Sequence, residues 1–171
     1  FFEIETLKGE TISTKNILLA IGRRGTPRKL GVPGEMQEKV AYRLLEPEVI
    51  SGKEIIVVGG GDSAIESALL LADQNNVILS YRSEAFNRIK PKNSERILDA
   101  AANGKVKLWF NTNVLDIGAT DIVLKNSLSG EQMTVKNDLI YIFAGGELPT
   151  QFLMKAGIQI TKKFGEAILK H

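Results

Sequence analysis

Gly59, Gly61 and Ala64 stand in the spacing G-x-G-x-x-A, directly after the short apolar run Glu54-Ile55-Ile56-Val57-Val58. A loop of this kind between a strand and a helix is suited to a phosphate group. Gly59 allows a tight turn, and Gly61 lets an anion approach the backbone. Ala64 lets the helix lie close to the strand. The N–H groups at the start of that helix then point at the anion, and the helix dipole favours its charge. Gly60 completes the loop, and Ser63 adds a hydroxyl. A bare strand-to-helix turn without a ligand is the plain alternative.

The next chemistry-bearing residues lie about 20 positions further on, where a dinucleotide site holds the adenosine ribose. That strand end reads Leu79-Ser80-Tyr81-Arg82-Ser83, with no acid before Glu84. A carboxylate there would accept from ribose hydroxyls. The fork of Arg82 instead suits a 2′-phosphate, with Arg88 and Lys90 close behind. NADPH is therefore favoured over NADH, which stays open. Tyr81 suits either an adenine platform or a cover for the core. Asp62 is expected to cap the helix, and Glu66 to face the mouth of the loop, where it can accept from a carboxamide. Gly145-Gly146, after a late apolar run, bring backbone to the carboxyl edge of the same sheet, on the nicotinamide side.

These positions need elements to hold them. Apolar residues at Ile65, Ala68, Leu69 and Ala72 predict a helix after the loop. Asn76 to Tyr81 reads as a strand. Asn93 is a candidate cap for a helix running to Asn103, with Gly104 as terminator. Val106 to Phe110 is a strand, Asn113–Ile117, Asp121–Lys125 and Glu131–Val135 are three short strands with tight turns, and Leu139 to Ala144 is a last buried strand. Gln151 to Ala156 is a short helix. The expected class is α/β: a Rossmann-like dinucleotide-binding domain with a parallel sheet plus a three-stranded antiparallel meander. Upstream, Phe2 to Thr6 alternate as a strand, Lys8-Gly9-Glu10 turn, and Thr11 to Thr14 return. Asn16 to Ile21 is apolar enough to predict a buried strand, and Gly22 to Gly34 reads as a crossover.

Composition narrows the chemistry. The 171 residues carry 22 Lys+Arg and 20 Asp+Glu, a net charge of 22 − 20 = +2. Nucleic acid is not expected as a partner, because phosphate-backbone binding needs a concentrated basic surface. There is no cysteine, so no disulfide, thiolate nucleophile or cysteine-held cluster forms on these residues. The one histidine, His171, is terminal and takes no role. No apolar run reaches the ~20 residues of a membrane span, and a cytoplasmic location is expected. No Tyr-x-x-x-Lys pair follows Tyr42, Tyr81 or Tyr141, which argues against a free-standing alcohol dehydrogenase.

Leu7-Lys8-Gly9-Glu10 recurs as Leu128-Ser129-Gly130-Glu131, Lys15-Asn16 as Lys136-Asn137, and Leu18 as Leu139, all at an offset of 128 − 7 = 121. Each copy reads as a turn, a strand, Lys-Asn, a buried strand and a glycine turn. Either two hairpins coincide, or both are the closing part of one kind of unit. In the second case the chain is expected to start inside a first dinucleotide-binding domain.

With these residues in place, Val57 to Ala68 resembles the NADPH-domain signature of thioredoxin reductase and related FAD-dependent pyridine nucleotide-disulfide oxidoreductases. Ala20-Ile21-Gly22 and Gly31-Val32-Pro33-Gly34-Glu35 resemble the segment leading into that domain. Ala144-Gly145-Gly146-Glu147-Leu148-Pro149 resembles the motif that closes it. The resemblance implies residues 1–30 as the end of the first half of an FAD domain, 31–52 as a hinge, 53–150 as the NAD(P)H-binding domain, and 151–171 as a segment returning toward the FAD domain. It implies FAD in the parent protein, held outside this chain, with hydride passing from NADPH to that flavin and on to an unknown external acceptor. A nucleotide-sensing module without turnover is the alternative, and a homodimer is left open. Two departures matter. Val40 to Pro47, where a redox cysteine pair would stand, has none. The His-Arg-Arg-x-x-x-Arg phosphate motif is only partly kept, as Tyr81-Arg82-Ser83 with Asn87 last and Arg88 as substitute. Together they point to a branch similar to ferredoxin–NADP reductase or bacillithiol-disulfide reductase-like proteins.

Overall fold

The computed structural model describes residues 1–20, 27–146 and 150–160. They fall into two units, Phe1–Gly25 with Leu148–His171, and Thr26–Glu147. In the first, Phe2–Glu5 (β1) and Thr11–Thr14 (β2) pair antiparallel, from Phe2 opposite Thr14 to Glu5 opposite Thr11. Gly9 turns between them at φ +79°.

The second unit contains β3 (Val40–Ala41), β4 (Glu54–Val58), α1 (Asp62–Leu71), β5 (Asn76–Tyr81), α2 (Pro91–Ala102), β6 (Val106–Phe110), β7 (Thr112–Ile117), β8 (Asp121–Asn126), β9 (Gln132–Lys136) and β10 (Leu139–Ile142). Strands β6, β5, β4, β10 and β3 form a parallel sheet in that order, and β7, β8 and β9 an antiparallel meander. The continuous apolar run of β4 follows from its burial on both faces. Ile55 and Val57 pack with Ile65, Ala68 and Leu71 of α1 and Ile97 of α2. Ile56 between them faces the opposite way, with Ile140 and Ile142, onto Val114, Ile117, Ile122 and Leu124 of the meander. Three layers result, and each covers a face that would otherwise be wet. The remaining helix, α3 (Thr150–Lys155), belongs to the first unit and ends at Gly157, φ +82°.

Several expectations are corrected. Residues 16–20 form no strand and are exposed, with Leu18 at 93%. A buried strand needs neighbours on both sides, and among the described residues the first unit pairs only β1 with β2. The 121-residue repeat therefore holds for the turn (Gly9 at φ +79°, Gly130 at +75°) and the following strand, but not for the strand after it. Asn93 does not cap α2. Pro91 occupies the first turn, where its fixed φ suits a helix start, and Lys90 is the cap. A short parallel strand, β3, was not expected. Ile21, Gly22, Glu147, Leu148, Pro149 and His171 lie outside the described residues.

Candidate functional site

Strand order reverses beside β4: the chain moves from β4 to β5 to β6 on one side, while β10 lies on the other. In open α/β sheets ligands lie outside the carboxyl ends of the strands at such a reversal. A cleft of about 500 Å³ opens there. Its lining comes from the end of β4 with Gly59, Gly60 and Gly61, the end of β5 with Tyr81 and Arg82, Arg88 beyond it, and Thr112 to Val114. Arg28 and Lys29 of the crossover and Phe143 to Gly145 complete the wall. Among the described residues four cations line the cleft (Arg28, Lys29, Arg82 and Arg88) and no carboxylate does.

The three loop glycines differ in what they require. Gly59 has φ +148°, and a Cβ there would lie 2.8 Å from the Phe143 carbonyl oxygen and 3.0 Å from the Ala64 methyl. Its N–H donates to the Ser80 carbonyl at 3.0 Å. A Cβ on Gly60 would collide with the Tyr81 ring. Gly61 caps α1 with an extended backbone, φ −103°, and a Cβ there would meet nothing within 4 Å. Neither backbone strain nor packing inside the protein asks for glycine at 61. The space in front of it is the cradle an anion would fill. The Ala64 and Ile65 amides donate to the Gly61 carbonyl at 3.0 and 3.2 Å. The amides of Gly61, Asp62 and Ser63 find no acceptor among the described residues, as expected of a free helix N-terminus.

Asp62 does not cap α1, because Gly61 is the cap and no side chain bonds there. Its Oδ1 instead accepts from the Lys90 amide at 3.0 Å and Asn93 Nδ2 at 2.7 Å. The Lys90 hydrogen bond, with that from Asn93, holds its carboxyl below the usual range. Buried Asn93 also donates to Glu66 Oε1 at 2.9 Å, tying the first turns of both helices together. Tyr81 stacks on Phe86, with centroids 5.7 Å apart at 15°, and Phe86 meets Phe110 edge-on at 5.0 Å. Ser83 lies past the cleft, its carbonyl accepting from the Asn111 amide at 3.1 Å. Gly145 turns at φ +87°, and Gly146 bridges antiparallel to Pro27. The structure thus brings Gly59, Gly60, Gly61, Tyr81, Arg82, Arg88 and Gly145 around one cleft. Asp62, Ser63, Ala64, Glu66, Ser83 and Gly146 stand beside it rather than in its wall.

Some wall residues belong to no sequence motif. Thr112 to Val114 follow the end of β6, and the strand-end rule alone would have flagged them. Thr112 is buried, and its hydroxyl hydrogen-bonds the Ser80 hydroxyl at 2.8 Å. Arg28 and Lys29 sit in an aperiodic stretch that carries no sequence signal. Glu35 belongs to the segment that resembles the lead into the domain, but the sequence assigns it no role. It is 6% exposed, and its carboxylate accepts from the Leu30 amide at 2.6 Å, the Gly31 amide at 2.7 Å and the Tyr42 hydroxyl at 2.8 Å.

Residues 1–170 match the pyridine nucleotide-disulphide oxidoreductase family. The chain belongs to this family. It is 32% identical over 166 residues to the bacilliredoxin reductase Bdr of Bacillus subtilis (strain 168), covering 96% of this chain and 51% of that protein. It is 30% identical over 165 residues to a ferredoxin–NADP reductase of Ignicoccus hospitalis, covering 92% and 52%. The bacillithiol disulfide reductase Bdr (YpdA) of Staphylococcus aureus superposes with a TM-score of 0.76 at 28% identity, over 81% of this chain and 43% of that one. Lactococcus lactis thioredoxin reductase superposes at 0.70 and 27% identity, over 79% and 46%. The chain spans about half the length of the curated relatives it matches. The family's Rossmann-like fold agrees with the α/β architecture. No described helix is long and apolar enough to cross a membrane.

Proposed function

We propose that Thr26–Glu147 is the NADPH-binding domain of a flavin-dependent oxidoreductase, and that the first unit belongs to its FAD domain. In finer division, residues 1–30 end the first FAD half, 31–52 are the hinge, 53–150 bind nucleotide, and 151–171 return toward the FAD domain. Gly61 carries this reading. It is a glycine that neither φ nor packing demands, at a free helix N-terminus in a cationic cleft. Those features suit a pyrophosphate, so the residues present fit the nucleotide.

The amides of Gly61, Asp62 and Ser63 would receive the bridging phosphates, with Gly59 and Ala64 keeping α1 close behind them. Arg82, with Arg88, would hold the 2′-phosphate, and Tyr81 and Ser83 would flank the adenosine. Gly145 and Gly146 would give backbone to the nicotinamide, and Glu66 would accept from its carboxamide. When bound, the nucleotide supplies a hydride to a flavin held outside this chain. This chain supplies placement and charge. None of its residues need act as acid, base or nucleophile. These 171 residues contain no cysteine, so no dithiol step runs through them. The names of the relatives, a bacilliredoxin reductase and a ferredoxin–NADP reductase, support a small redox protein as the external acceptor.

Anaerobic titration of the flavin-loaded full-length protein with NADPH tests the reading. Loss of the oxidised flavin absorbance is expected. Nucleotide binding without bleaching would turn the domain into a sensor and end the hydride-transfer reading.

A further inference from the structure

Arg28 stands outside every motif of the sequence, yet it is one of the residues that line the cleft. Its backbone is fixed at this place. The Arg28 amide donates to the Gly145 carbonyl at 3.0 Å, and neighbouring Pro27 bridges Gly146. Two residues further on, the buried Glu35 carboxylate takes the Leu30 and Gly31 amides at 2.6 and 2.7 Å. The Tyr42 hydroxyl locks that carboxylate at 2.8 Å. The segment is thus pinned on both sides of Arg28, to the end of β10 before it and to the Glu35 turn after it. A long cationic side chain on a pinned backbone loses less entropy on meeting an anion than one on a free loop. Among the described residues the Arg28 guanidinium has no ion-pair partner. Lys29 differs, since its Nζ lies 3.0 Å from Met36 Sδ.

Position then decides which anion Arg28 meets. The glycine loop leaves the end of β4, with β10 on one side of it and β5 on the other. Neighbouring strands are ~4.8 Å apart, so the ends of β10 and β5 are roughly 10 Å apart with the loop between them. Arg82 comes from the β5 side, and Arg28 is tied to the β10 side. The two residues therefore join the lining from opposite flanks of the loop.

We propose that Arg28 binds the bridging pyrophosphate of the nucleotide from the β10 side, as a contact shared by NADPH and NADH. This rests on the nucleotide reading above and divides the work of the cations. Arg82 reads the 2′-phosphate and sets the preference between the two nucleotides. Arg28 adds affinity for both and sets no preference. It also lies three residues past the boundary between the two units, so the crossover itself becomes part of the bound state.

Dissociation constants for NADPH and NADH, measured on the full-length protein for wild type, Arg28→Ala, Arg28→Lys and Arg82→Ala, test it. Arg28→Ala should weaken both nucleotides roughly tenfold, as expected for one lost charge-assisted hydrogen bond, leaving their ratio unchanged. Its melting temperature without nucleotide should match wild type. Arg28→Lys should recover part of the loss, because a point charge replaces the fork. Arg82→Ala should weaken NADPH alone. Unchanged affinities in Arg28→Ala, or a loss confined to NADPH, would overturn the assignment while leaving the cleft a nucleotide site. A wild type that binds neither nucleotide would instead overturn the nucleotide reading beneath it.

Discussion

Gly59 takes a positive φ and leaves no room for a Cβ against the Phe143 carbonyl, so the fold itself needs it. Gly60 is needed by one neighbour, the Tyr81 ring. Gly61 is needed by nothing among the described residues. Substitutions should separate these roles. Gly60→Ala forces the ring aside and should cost about 1–3 kcal/mol, the usual range for overpacking. In a Tyr81→Ala background the same change should cost much less, because the two residues share one space. Denaturant unfolding of the four proteins in the cycle checks this, and additive costs would refute the contact. Gly61→Asp should leave stability near wild type, since the φ of −103° is open to any residue and Asp is a favoured helix cap. Its carboxylate would then stand where the phosphates belong. The sequence pattern shows all three glycines alike. Only the positions of Phe143 and Tyr81, distant in the chain, show why they differ.

At the scale of elements, the crossover to β3 is held by a buried carboxylate as well as by Leu30, Val32 and Val40 packed on the apolar core. Burial pushes Glu35 up, but hydrogen bonds from Leu30, Tyr42, Gly31 and Val32 outweigh it and hold the carboxyl below its ordinary 4.5. Burial, followed by the Glu35 contact, pushes Tyr42 up to about 12. The signs follow from linkage. A lowered carboxyl gives stability that is complete above pH 4.5 and fades as pH falls through the folded value. A raised phenol gives stability that is complete below pH 10 and fades between 10 and about 12. Glu35→Gln should therefore flatten the acid limb of the stability–pH curve, and Tyr42→Phe the alkaline limb. Glu35→Gln should also cost about 1–3 kcal/mol at neutral pH, from buried donors left unsatisfied. Unaltered limbs would show the pair to be idle. Strands β4 to β6, helix α1 and the meander were legible because apolar spacing and turn residues are local. Asn93 was misplaced because Pro91 starts the helix earlier, and residues 16–20 because apolar content says nothing about whether a neighbour strand is there. The Glu35 network was invisible because its partners are backbone amides and a tyrosine that the sequence does not mark as joined.

For the whole molecule, every described residue lining the cleft lies between Arg28 and Gly145, within Thr26–Glu147. That unit has its own two-sided core. Produced alone, it should bind NADPH within about threefold of the full chain, a difference under 1 kcal/mol. A much larger loss on calorimetric titration would mean that the other unit completes the site. The oxidoreductase class comes from the family, and the nucleotide reading of this unit comes from its own cleft. Ligand-induced stabilisation tests that reading most directly. A folded protein with nucleotide at a hundredfold excess over its Kd gains about 2.7 kcal/mol. Melting curves of the full chain with and without NADPH should show that gain for wild type. Gly61→Asp should melt with wild type when no nucleotide is present and gain nothing when it is. Equal stabilisation of the two proteins would contradict a pyrophosphate seated on the glycine loop.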